Sequence, residues 1–148
     1  MSLDVTLYLE YPETRPQAIY IREDGEAKEI GREEWDARFP GVTPSPADSE
    51  YTREEVYTAN ITHNLNTMAD HAGIYEELWR PDELGVTLAA ELIEPLGMGL
   101  VKLEKSPSFY QQFNPKNGWG DYDGLVRFVS KYLAACKKYP QATIRISR

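Results

Sequence analysis

"DYDGLVRFVSKYLAACKKYPQATIRI", residues 121–146, changes its period partway along, and that change decides the fold. The first part places Leu125, Phe128, Val129, Tyr132, Leu133 and Cys136 at i, i+3, i+4, i+7, i+8 and i+11, which is the apolar stripe of a helix lying on a core. Asp121 is positioned to cap that helix. Asp121 and Asp123 sit near the positive end of its dipole and Lys137 and Lys138 near the negative end, so the charges complement the peptide dipoles. Pro140 stops the helix, and residues 142–146 then alternate with a period of two, as a strand with one buried face does. Such a strand needs a sheet to join.

The other end of the chain supplies one. Leu3, Val5, Leu7 and Leu9 fall on one side of an extended run and Asp4, Thr6 and Tyr8 on the other, so the last strand is expected to pair with the first. Residues 17–22 form a second β-rich run. Asp24 and Gly25, a hairpin-turn dipeptide, lead from it into residues 26–30 and extend the sheet as an antiparallel meander. Residues 32–39 predict a short helix that buries Trp35 and Phe39 before Pro40 and Gly41 end it, with a loop through Pro44, Ser45, Pro46 and Asp48. Val56 and Tyr57 favour a strand over 54–61.

Beyond it the helical period dominates. Leu65, Met68, Ala69 and Ala72 make a buried stripe ended by Gly73 as a left-handed cap, and a second short helix covers 74–79. Leu88, Leu92, Leu96, Leu100 and Leu103 line another helix, with Thr87 as its cap and Pro95 kinking or splitting it. Ser106 and Pro107 open a last short helix carrying Phe109, Tyr110 and Phe113. The expectation is one α+β domain over residues 1–148, an antiparallel sheet of about four to five strands with several helices on one face.

Composition narrows the function. At 148 residues and 41% hydrophobic content, the chain can bury roughly two thirds of its unfolded surface. No segment approaches the roughly 18 uninterrupted apolar residues of a membrane span, and no leader is recognisable, so neither membrane association nor secretion is expected. The glycosylation sequon at Asn60, Ile61 and Thr62 is discounted on the same ground. Cys136 is the sole cysteine and can form no internal disulfide, which points to a reducing, cytoplasmic setting. The net charge of −8 is uneven: residues 1–55 carry 14 acids against 6 bases, while 56–148 carry 10 of each. That excess repels a phosphate backbone and disfavours general nucleic-acid binding, but it suits a basic protein partner.

The chemistry-bearing residues gather in two places. The first is "NITHNLNTMADHAGIYEELWRP", residues 60–81, with both histidines and three asparagines. His63, Asp70 and His71 do not make a metal site, because ligands eight residues apart on a helix lie about 12 Å apart and cannot meet one ion. Asn60 and Asn64 bracket a turn, each amide offering a donor and an acceptor, and His63 between them could serve as an acid or base. In the helix that follows, Asn64, Thr67 and His71 form a polar row beside the buried stripe. The second place is "FNPKNGWGDY", residues 113–122, where Asn117 and Gly118 form a turn and Gly118 and Gly120 flank Trp119, leaving its indole to act as a stacking platform. Cys136 belongs to the core stripe and is not a nucleophile. No phosphate-binding loop or nucleophile elbow is present, and no cofactor is expected.

The segments "NITHNL", "GIYEELWRP" and "NGWGDY" resemble those of a family of small bacterial and phage proteins of unestablished function, over a stretch from Tyr57 to the end of the chain. The resemblance implies no activity and no catalytic residue, and leaves accessory roles in a phage or bacterial cell open. The leading expectation is a non-enzymatic module binding a small molecule or nucleotide-like ligand, with Asn60, His63, Asn64, His71, Asn117 and Trp119 as candidate contacts. An enzyme using His63, and an acidic surface that mimics nucleic acid toward a basic partner, are the alternatives.

Overall fold

The computed structural model describes residues 1–16, 19–42 and 50–148. Its strands are β1 (Ser2–Pro16), β2 (Ile19–Glu23), β3 (Glu26–Ile30), β4 (Glu50–Thr62) and β5 (Thr143–Ser147). Its helices are α1 (Arg32–Arg38), α2 (Asn66–His71), α3 (Tyr75–Trp79), α4 (Ala90–Lys105), α5 (Pro107–Gln111) and α6 (Tyr122–Lys138), with a 3₁₀ turn over His63–Leu65. These elements form two compact units, one made of Met1–Glu10 with Glu55–Arg148 and one of Tyr11–Glu54.

The larger unit is built on a three-stranded antiparallel sheet in the order β4-β1-β5. The expected pairing of last strand with first is present, Val5 opposite Ile146 and Leu7 opposite Ile144. This register puts Leu3, Val5 and Leu7, all fully buried, on the face that the helices cover. Asp4, Thr6, Thr58 and Asn60 occupy the other face, where the Thr6 and Thr58 hydroxyls meet at 3.4 Å. Residues 87–89 run along the far side of β5, with Ile144 N–H donating to the Thr87 carbonyl and Ala89 N–H to that of Ala142. That segment shields an edge that would otherwise offer open pairing groups.

Helix α6 carries the expected stripe: Leu125, Phe128, Val129, Tyr132, Leu133 and Cys136 are all buried, and the Asp121 carboxylate caps the helix by accepting from Gly124 N–H at 2.7 Å. It packs against α4, whose Leu92, Leu96 and Leu103 are buried. Helix α4 runs unbroken through Pro95, which neither splits it nor ends it. Thr87 is not its side-chain cap. Glu91 reaches back instead, its carboxylate accepting from the N–H groups of Thr87 and Leu88 at 2.9 Å each, and those bonds hold its acid below the usual carboxylate range. Leu88 leaves the helical stripe because it sits in the β5-side segment, 37% exposed. At Gly99 a side chain would meet Ile74 at 2.4 Å, so the close approach of α4 to the start of α3 depends on glycine there.

The smaller unit departs from expectation. Asp24 and Gly25, at φ 55° and 81°, make the type I′ turn that their identity requires, and β2 and β3 pair through it in full register. They form a separate two-stranded ribbon, so the main sheet has three strands and not four or five. The reason lies in β3: Glu26, Ala27, Lys28 and Glu29 are exposed and only Ile30 is buried, so the strand has no continuous apolar face to place over a core. Helix α1 forms as expected but buries no residue. Trp35 and Phe39 pack on each other at 4.6 Å, with the Trp35 indole N–H donating to the Val42 carbonyl at 2.7 Å, and Phe39 stays 39% exposed. The loop expected through Pro44, Ser45, Pro46 and Asp48 lies outside the described residues, as do Gln17 and Ala18 of the second β-rich run.

Candidate functional site

Strand β4 ends at Thr62, whose hydroxyl accepts from Asn64 N–H at 3.3 Å and starts the 3₁₀ turn that leads into α2. That cap turns the chain sharply. Leu65, Met68, Ala69 and Ala72 fall into the core while Asn64, Thr67 and His71 stay exposed, so the two faces divide as their spacing predicts. Gly73 at φ 77° ends α2.

The Trp119 loop is built from its own turn bonds. Gly118 N–H donates to the Pro115 carbonyl, Trp119 N–H to the Asn117 side chain at 3.0 Å, and Tyr122 N–H to the Asn114 side chain at 2.8 Å. The Tyr122 hydroxyl donates to the Leu103 carbonyl at 2.6 Å and fastens the loop's end to α4. Gly120, at φ 96°, lies so close to the β4 junction that a Cβ would come within 2.7 Å of the Thr62 methyl. Loop and junction therefore meet.

Where they meet is an open cleft of about 590 Å³, lined by Asn60, Thr62, His63, Asn64 and Trp119. Met1 and Ser2 complete its wall, and His63 N–H donates to the Met1 carbonyl at 3.4 Å. The volume is that of an ordinary small-molecule site. Four of the six candidate residues, drawn from segments more than fifty positions apart, share this one cleft. The other two lie elsewhere. His71 stacks on Phe113 with ring centroids 4.1 Å apart and meets the edge of Phe109 at 6.1 Å, and Asn117 spends its side-chain oxygen on the Trp119 turn. Asp70 lines a separate depression with Asn66, Thr67 and Tyr75, and among the described residues no cluster of three or more histidine, cysteine, aspartate or glutamate side chains is suited to a metal ion.

Asn60 and His63 have set roles in the cleft. The Asn60 amide nitrogen donates to Ser2 Oγ at 2.8 Å and to Asp4 Oδ1, which uses both of its hydrogens and leaves its oxygen as an acceptor. His63 Nδ1 accepts from the indole N–H of buried Trp79 at 2.8 Å. An indole nitrogen can only donate, so the proton of the neutral His63 ring is assigned to Nε2. Trp79 is itself held: Arg148 donates to its carbonyl at 3.0 Å and grips Asp82 through both terminal nitrogens, at 2.8 and 3.2 Å. The Asn64 side chain keeps its amide uncommitted among the described residues. Trp119 is 71% exposed.

Ser2, Asp4, Trp79 and Arg148 were not among the candidates. Asp4 and Asn60 become neighbours only through the register of β1 against β4, and Arg148 reaches Trp79 across 69 positions of sequence. The alternation that sends Asp4 to the outer row of β1 was a signal for the first of these, and nothing local marked the second. Burial pushes the Cys136 thiol up to about 12, so it stays protonated and inert at neutral pH. Among the described residues no helix is long and apolar enough to cross a membrane. No protein-family model, curated protein or solved structure matches this chain.

Proposed function

We propose that the protein is a non-enzymatic binding module for a small molecule, acting as an accessory protein in the cytoplasm of a bacterial or phage-infected cell, and that the cleft of Asn60, His63, Asn64 and Trp119 holds the ligand. The observation that carries this reading is the convergence of the two Asn-rich turns on one concavity. Support comes from what these side chains do not do: Asn64 and Trp119 are exposed, leave the core untouched, and stand on backbone tied down by Thr62, Asn117 and Gly120. A held backbone presenting spare polar groups is a preorganised site.

A thermal-shift screen of metabolites tests it. A stabilising compound whose effect is lost in both Asn64→Ala and Trp119→Ala is the expected result. If no compound stabilises the protein, or the effect survives both substitutions, the cleft is not the site.

The enzyme reading draws on one specific feature, the orientation of His63 by Trp79, which leaves Nε2 with the exchangeable proton. Turnover of a bound compound, abolished by His63→Gln while binding persists, would favour it over simple binding. An acidic surface for a basic partner has weaker support. Glu23, Glu34 and Asp36 of the smaller unit are paired with Lys28, Arg38 and Arg32, so part of the excess is neutralised within the unit.

A further inference from the structure

We infer that the ligand class is an unphosphorylated planar heterocycle with adjacent hydrogen-bond donor and acceptor atoms, namely a free nucleobase or nucleoside. This rests on the reading of the cleft as a small-molecule site and goes further by deriving what fits it.

The first step is the indole. Trp119 is 71% exposed, on a backbone bent through positive φ at Gly118 and Gly120 and pinned by the Asn117 side chain. An aromatic side chain held in water on a rigid turn offers a flat face at little entropic cost to whatever stacks on it. The second step is the assignment of donors and acceptors. Asn60 has spent both amide hydrogens and is left as an acceptor, and His63 has spent Nδ1 and is left as a donor. Asn64 supplies one of each, and the Thr62 hydroxyl, having accepted from Asn64 N–H, retains a proton to donate.

Sites with fixed roles read ligands whose own roles are fixed. The edge of a nucleobase has ring nitrogens, carbonyls and exocyclic amines that are either donor or acceptor in a rigid plane, whereas each sugar hydroxyl can be both and needs no such preset pattern. The third step is charge. Among the described residues no lysine or arginine side chain lines the cleft, and the carboxylate of Asp4 accepts from the Asn60 amide at its wall. A phosphate placed there would lose hydration without gaining a cationic side chain, in a protein of net charge −8. A base within a nucleic-acid strand brings the same penalty several times over, so the free base or nucleoside is the favoured source.

Calorimetric titration of the full chain with the four common ribonucleosides, their 5′-monophosphates, a short mixed-sequence single strand, and glucose tests the inference. At least one nucleoside is expected to bind saturably, with its monophosphate at least about tenfold weaker and the single strand weaker still. Trp119→Ala should weaken that nucleoside at least about fivefold, the lower end of what base stacking on an aromatic side chain is worth. Its thermal melt should match the parent's, since the side chain is mostly outside the core. Tighter binding of a monophosphate or of the strand, binding of glucose with no nucleoside binding, or a nucleoside affinity unchanged by Trp119→Ala each overturns the inference. If another screened compound binds through Asn64 and Trp119 while every nucleoside fails, the ligand class is wrong and the cleft reading stands. If nothing binds at the cleft, both fall.

Discussion

Tyr132 makes the sharpest stability prediction, because its side chain is fully buried in α6 and its hydroxyl has no hydrogen-bond partner among the described residues. The ring earns its place by packing. It lies parallel to Tyr57 at a centroid distance of 6.0 Å and tilted against Phe128 at 5.9 Å, and Tyr132→Phe keeps both contacts. Only the oxygen is lost. A buried polar group left unpaired forfeits its hydration, at a cost of about 1 to 3 kcal/mol. The same desolvation, with smaller contributions from Cys136 and Tyr57, drives the phenol's pKa far above its ordinary value. Tyr132→Phe is therefore expected to stabilise the protein by about 1 to 3 kcal/mol, which at this size is roughly 3 °C of melting temperature per kcal/mol. Urea denaturation followed by circular dichroism reads it as a higher midpoint at unchanged slope. A loss of about 1 kcal/mol or more would refute the reasoning, since it would mean that the hydroxyl is hydrogen-bonded in solution.

Other expectations are smaller in scope. Met68→Ala should cost about 2 to 5 kcal/mol in a denaturant melt and His71→Ala no more than about 1.5, because Met68 is fully buried whereas His71 is exposed and packs on the rings of Phe113 and Phe109. The reverse order would mean that the faces of α2 are assigned backwards. Gly120→Ala should destabilise more than Gly118→Ala: both have positive φ, but only at Gly120 does a Cβ strike Thr62 and Leu65, and ligand affinity at the cleft should fall with the first and hold with the second. Equal effects of the two on both readouts would remove the contact between loop and junction as a cause. The Arg148 hydrogen bond holds the Asp82 carboxyl below its ordinary value of 3.8, so the pair's contribution is present above that pH and is lost as pH falls through the depressed folded value. A pH series of melts should accordingly show Arg148→Ala less stable than the parent at neutrality and the gap narrowing in acid to what the Trp79 carbonyl bond contributes; a gap that widened in acid would give the linkage the wrong sign.

The parts of the fold that were legible in the sequence are those in which local pattern and tertiary need coincide. The stripe of α6 is unambiguous because six apolar residues at helical spacing, an aspartate at the cap and a terminal proline agree with one another. Strands β1 and β5 were legible as a pair because each alternates and each therefore needs a neighbour. The sheet was overcounted where that agreement fails. Residues 19–30 carry a strong turn and β-favouring residues, yet β3 offers no apolar row, and turn chemistry specifies a hairpin without specifying that it joins a larger sheet. Trp35 and Phe39 illustrate a similar gap: their spacing ensures that they meet each other, and the seven-residue helix α1 buries no residue.

The cleft was legible by composition and illegible in detail for a related reason. Asparagine, glycine and an isolated tryptophan mark turns from the sequence alone, so the two segments could be named, whereas the close approach of Thr62 and Leu65 to Gly120 shows only in the structure. What each polar atom does there depends on register. Asn60 becomes a pure acceptor because β1 runs antiparallel to β4 with Ser2 and Asp4 beside it, and a slip of one residue would turn those side chains to the opposite face. His63 becomes a pure donor because α3 brings the Trp79 indole to its Nδ1 from sixteen residues away. The ligand preference inferred for the cleft is thus a property of strand pairing and helix placement acting on residues that, taken singly, could each have donated or accepted.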